Sequence, residues 1–441
     1  MTYHFSKISG QTCGAENAQF DTAVRALATH RFGLLPALQH AIAIAPDFCA
    51  AHALKAFSLL LLARAELNEE ARSAAELAVA SARYARLGPE LALIEALDLV
   101  CNGRFRQAAD RLEAQLWDDP CNFLLFKLAH ALRFMAGDDA GMLAASDLAV
   151  RRWSSKHSYF GYVLGCHSFA LEEAGEYEQA ELVAKQALTL APDDAWGLHA
   201  LCHVYEMQGR AAEGFAFIES TRPVWTQCNN FRFHIAWHQA LYCIERGETS
   251  RALELYDKEI FPVPSDDFRD IANAVSFLWR LRLLGIDAED RWTPLKSIAH
   301  KRAAETTLMF ASLHHILTMA ATEAHESARA ALDRWQRVCD EGDTEQAYAA
   351  RHVALAIGQA IIGAGGPTSH FPGLAEQLPL LGGSAAQRDV FVQTLASLAR
   401  DAGDVVTLSA LLKNRSSRRT DDLFIRMACA KSPCVRREET P

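Results

Sequence analysis

The chain has 441 residues, more than one compact core takes, so two or three domains or one extended repeat array is expected. Half of the residues are hydrophobic and 22% are charged, as in ordinary soluble globular proteins. The formal net charge of -10 matches neither nucleic acid nor an anionic membrane, and neither is expected as a partner. The eleven cysteines are an odd number with no CxxC pair. Most sit in apolar helical stretches, as Cys166, Cys202 and Cys243 do, which fits free thiols in a reducing cytosol. The first residues lack the basic and apolar stretches of a signal peptide, and the longest apolar run, near 56–63, is too short for a membrane span. The expected location is the cytoplasm.

In chain order, a short N-terminal segment (1–14) precedes Ala- and Leu-rich stretches with the 3.6-residue period of amphipathic helices. Residues 19–82 read as two degenerate helix pairs. Gly103, Gly137, Gly175, Gly209 and Gly247 then recur 34, 38, 34 and 38 residues apart, each where one helix ends and another begins. Five residues after most of them stands a small residue, Ala108, Ala180, Gly214 or Ala252, which permits close helix approach. Pro46, Pro120 and Pro192 close the pairs.

This pattern resembles the tetratricopeptide repeat, and 161–194 is its best single match. The expected fold is all-α, a right-handed superhelix of tetratricopeptide-like helix–turn–helix repeats over 15–282. From about Leu283 the period is lost, but helical patterning continues. A helical C-terminal block over 283–430, broken by GAGGPTSHFPG at 363–373, is placed to cover the groove. Residues 431–441 read as a disordered tail.

Two consecutive first helices carry paired histidines. DAWGLHALCHVYEMQGR (194–210) has His199, His203 and Glu206 on one helix face. FRFHIAWHQALYCIERGE (231–248) has His234, His238, Tyr242 and Glu245. In tetratricopeptide repeats this side of the first helix faces the concave groove. With neighbouring axes about 8–10 Å apart, the four imidazoles can converge. An i, i+4 pair can place two imidazoles on one divalent transition metal (Fe, Mn, Zn or Cu), so His199, His203, His234 and His238 are the candidate ligands. Glu206, His203 and His238 are the candidate acid–base residues, Glu206 serving as ligand, orienter of a ligand or general base. Trp196, Trp237, Tyr242, His130, His315 and Arg388 are the candidate ligand-contacting residues. The HExxH pattern of zinc proteases is absent, as are phosphate loops and nucleophile elbows.

FALEEAGEYEQAE (169–181), the 194–210 stretch, HIAWHQAL (234–241), LYDKEI (255–260), FLWRLRLLGID with DRW (277–292), and GGSAAQRDVF (382–391) together resemble the tetratricopeptide repeat protein 38 family, over about 15–415. The resemblance implies an α-helical repeat fold and no established reaction. The family-typical positions matched are His130, Trp196, His199, His203, Glu206, His234, Trp237, His238, Arg280, His315, Gln387, Arg388 and Asp389. Four positions depart from the pattern: Ile235 and Ala236, Asn273 where the family has Asp, and Ala385 where it has His. In GGSAAQRD, Ser384 reads as a helix N-cap and Arg388 as an anchor for a carboxylate or phosphate. Two functions remain open at this level. One is a His/Glu pocket for a metal ion or a small polar metabolite. The other is a non-catalytic scaffold holding a peptide or partner helix in the groove.

Overall fold

A computed structural model describes residues 14–82, 88–303, 305–419 and 422–430. The expected disordered tail, and all but the last residue of the N-terminal segment, lie outside them. The described chain is all-α, without strands; one antiparallel bridge joins Arg31 and Cys228. No helix among the described residues is long and apolar enough to cross a membrane. The chain divides into two compact units. One runs to Leu201 and includes Thr221–Arg232; the other holds Cys202–Ser220 and everything from Phe233 onward.

The first unit is built of antiparallel pairs. These are α1 (Ala15–Thr29) with α2 (Leu34–Ile44), α3 (Cys49–Leu60) with α4 (Asn68–Ala82), α5 (Gly88–Cys101) with α6 (Phe105–Gln115), α7 (Phe123–Met135) with α8 (Asp139–Arg152), and α9 (Phe160–Glu173) with α10 (Tyr177–Leu190). The first half of α11 (Ala195–Met207) and the short α13 (Arg222–Trp225) complete it. Side chains supply the starts: Asn122 accepts from Leu125 N at 3.2 Å and Asp138 from Gly141 N at 3.1 Å, satisfying amides that α7 and α8 leave open. Helix α1 also meets residues far along the chain. Arg25 pairs with Asp193 at 2.8 Å and lies over the Tyr162 ring, and Asn229 N donates to His30 O at 2.7 Å.

The second unit continues with α12 (Ala211–Ser220), α14 (Phe231–Glu245), α15 (Thr249–Leu255), a π-helical turn (Tyr256–Ile260), α16 (Phe268–Leu283), α17 (Trp292–Arg302), α18 (Met309–Ala321) and α19 (His325–Glu341). The short α20 (Glu345–Ala349), α21 (Leu355–Ile361) and α22 (Phe371–Glu376) lead to α23 (Ala385–Asp401), α24 (Val405–Arg418) and α25 (Leu423–Ala430). Leu395, Leu408, Leu411, Leu412 and Phe424 pack these last three helices together. Helix α23 opens on a capping box, Ser384 taking Gln387 N while the Gln387 side chain takes Ser384 N.

The turn positions show that the pairing does not stop at Leu283. Gly103, Gly137, Gly175, Gly209 and Gly247 all take left-handed φ, and so do Gly285, Gly363 and Gly403 between later helix pairs. Three non-glycine residues also take left-handed φ after a helix, His30 at φ 52°, Ala63 at φ 49° and Glu323 at φ 57°. Helix pairs therefore run from α1 to α24, and the apparent loss of period reflects spacings of 38 to 40 residues and a glutamate in a glycine's place. A side chain there costs about 1–2 kcal/mol. The small residues expected at close approaches are buried: Ala108, Ala180 and Ala252 are 0% exposed. At Gly214 a Cβ would stand 2.4 Å from Tyr242 Cζ. The described cysteines are free, and none is exposed.

Candidate metal centre

Helices α11, α14 and α16 bring the second unit's site together. His203 and Glu206 come from α11, His234 and His238 from α14, and Asn273 from α16. One ring nitrogen from each of His203, His234 and His238 lies within 4.8 Å of the others. The His238 ring centroid is 4.7 Å from that of His203 and 4.8 Å from that of His234. All three side chains are buried.

Their hydrogen bonds set the tautomers. His238 Nδ1 donates to Glu206 Oε2 at 2.6 Å, and His234 Nδ1 donates to Asn273 Oδ1 at 2.8 Å. In both rings the lone pair is then on Nε2, the nitrogen that would ligate a metal, while an oxygen fixes the ring from behind. Burial first, then the neighbouring imidazoles, hold His234 and His238 well below the usual histidine range. Both stay neutral at pH 7, the form that ligates. Burial raises the Glu206 carboxyl, with Arg419, Arg280 and His203 pulling it back. Of the three roles open to Glu206, the geometry favours orienting His238.

Trp237 is fully buried; its Nε1 donates to Ser276 Oγ at 3.1 Å and its ring stacks on His234 at 5.1 Å. Tyr242 Oη donates to Cys202 O at 2.6 Å. Glu245 is not in the histidine group. Its Oε2 accepts from Leu423 N at 3.0 Å, tying the C-terminal segment to α14.

The remaining expected residues have the following surroundings. His199 precedes His203 by one turn of α11, and its ring packs against Phe169, Trp196 and Phe231 in the first unit. His130 is buried edge-on to Trp196 and Phe169, and burial, then Lys127, holds it far below the usual range. Trp196 sits among these rings with Lys127 Nζ 4.7 Å over its face. His315, on α18, is buried and joins no potential ligand group among the described residues; burial lowers it to about 3. Arg388 is also buried, but turns back to donate to Gly383 O in its own turn. Asp389, next to it, pairs with Arg415 instead. Residues with no pattern of their own complete the surroundings. Asn273 and Arg280 were marked only by the family resemblance, and Arg415 and Arg419 by nothing.

If Asn273 is the group that orients His234, Asn273→Asp should strengthen it. A carboxylate behind an imidazole raises its basicity, so metal affinity is expected to rise about 10-fold or more. Competition with a fluorescent zinc chelator measures this, and an unchanged or lower affinity would refute the orienting role.

No family model matches the chain. Among solved structures it is similar to the yeast Tom70 crystal structure, at 12% identity and a TM-score of 0.38, over 96% of this chain and 89% of that one. It is also similar to Naa15/Naa10 bound to HypK-THB, at 15% identity and a TM-score of 0.26, over 95% of this chain and 66% of that one. At these scores neither likeness adds to the fold read from the helices themselves.

Proposed function

We propose that this chain is a tetratricopeptide-like interaction scaffold that carries, inside its second unit, a centre for a divalent transition-metal ion. The helical-repeat fold supports the scaffold more directly than it supports an enzyme. Large apolar side chains exposed on second helices of the first unit, including Leu77, Leu148, Leu182 and Leu190, suit contact with an apolar protein surface. The expected ligands His203, His234 and His238 are buried, so a peptide laid directly over them is the weaker form of this reading. Resemblance to the tetratricopeptide repeat protein 38 family belongs to the same proposal.

The metal reading rests on one observation: three buried imidazoles with nitrogens within 4.8 Å, two of them neutral and held from behind by oxygen. Zinc and the neighbouring divalent ions take nitrogen at about 2.0–2.1 Å, so a small inward closure makes a three-nitrogen set. His199, one turn earlier on α11, is the fourth ligand that the i, i+4 spacing offers. Glu206 would orient, and no reaction is assigned.

Elemental analysis of untagged, chelator-free protein tests this beside His203→Ala/His238→Ala. About one Fe, Mn, Zn or Cu per chain, lost from a variant whose helical circular dichroism is intact, is the expected result. No metal in either protein after reconstitution would end the metal reading. The scaffold reading would remain, tested by whether a second protein co-elutes stoichiometrically in native purification.

A further inference from the structure

Arg280 projects from α16 into the second unit and is buried. Its guanidinium lies 5.3 Å over the Trp237 ring. Nη1 donates to Ser276 O at 3.2 Å and Nη2 to Ala386 O at 2.9 Å, both main-chain carbonyls. Among the described residues no carboxylate lies within ion-pair distance of it, because the nearby acids serve other groups. Asp389 and Asp422 bind Arg415. Glu245 stands 3.6 Å from Arg415 and 3.7 Å from Arg419. Glu206 holds His238. Burial pulls Arg280 down to about 10, with Asp389 and Glu206 only partly offsetting it.

A buried guanidinium without a counter-ion is costly unless something pairs with it. Beside Arg280 is a cavity of about 30 Å³, lined also by Glu206, Tyr242, Asp389, Arg415 and Arg419. A single water needs roughly 10–15 Å³ of such space, so there is room for about two or three heavy atoms. That suits a planar carboxylate, which guanidinium binds through two parallel N–H groups, better than a tetrahedral phosphate.

We propose that this cavity receives the carboxylate end of a small organic acid, with Arg280 as its partner. The acid is anchored next to the Glu206–His238 pair. The site stands whether or not the histidines hold a metal, so it is tested on the full chain after chelator treatment. Thermal unfolding is followed in sodium acetate, sodium phosphate and sodium chloride at matched ionic strength. Acetate should raise the Tm saturably, by roughly 3 °C at a hundredfold excess over its Kd. Phosphate and chloride should not. Arg280→Gln should lose the acetate increment. Because that variant also gives up two carbonyl contacts, Leu284→Phe is the second probe, filling the cavity while leaving Arg280 in place. It too should lose the increment. No saturable acetate effect, an increment that survives in both variants, or a response to phosphate in place of acetate would overturn the proposal.

Discussion

Gly165→Ala is expected to destabilise the protein by about 3 kcal/mol, at the upper end of what overpacking a well-filled interior costs. Gly165 lies on α9, where the start of α11 crosses it closely. A Cβ there would stand 1.9 Å from Asp194 Oδ2 and 3.0 Å from Gly197 N. The carboxylate cannot swing aside, because Asp194 is 1% exposed and its Oδ1 accepts Trp196 N at 3.1 Å at the head of α11. Urea unfolding measures the loss. The same substitution in an Asp194→Ala background isolates the clash: there Gly165→Ala should cost at least about 1 kcal/mol less, since contacting sites couple by that order. Equal costs in both backgrounds would show that the helices, not the aspartate, fill the space.

Asp194 also sets a pH dependence. Burial pushes its carboxyl up from 3.8 to about 7, against the pull of Lys127 and of the Gly197 and Trp196 amides. The folded state therefore holds this proton more tightly than the unfolded chain does. Asp194's contribution to stability is full below about pH 4, falls as the pH rises, and is flat again above about pH 7. A shift of about three units corresponds to roughly 4 kcal/mol across that window. Asparagine keeps the capping oxygen and cannot ionise. Asp194→Asn should thus match the wild type near pH 4 and exceed it by roughly 2–4 kcal/mol at pH 8. Urea midpoints at the two pH values decide it, and parallel profiles would mean that Asp194 ionises freely in the fold.

Much of the architecture was legible because glycine is the residue that adopts left-handed φ without strain. Gly103 to Gly247 announced five turns in a row. Ala63 and Glu323 announced nothing, since each pays the side-chain penalty and neither looks like a turn residue. Beyond Leu283 the turn at Glu323 was hidden for that reason. In the site, His203, His234, His238 and Glu206 were readable from spacing on two neighbouring helices. Asn273 and Arg280 were not readable from spacing, because they reach the site from α16, and helix periodicity carries no information about which distant helix packs where. Arg388 shows the converse. Its position after a glycine turn suggested an anion anchor, while periodicity carried no sign that it donates to the turn's own Gly383 carbonyl. Arg415 and Arg419, near the C-terminus, belong to no spacing pattern in the sequence. They are buried against Asp389, Asp422 and Glu245, a neutralisation that only the tertiary fold creates.

The contacts of α1 change how the first unit must come together. In a linear array each repeat touches only its neighbours, so ends fray and folding spreads from any point. Here Arg25 reaches Asp193, and the Arg31 backbone bridges Cys228. During synthesis α1 thus leaves the ribosome long before its partners exist, and its two latches close only after residues 193 and 228 have emerged. Joining the two ends converts a string of independent repeats into a loop, and a loop gives way all at once where a string would unravel from one end.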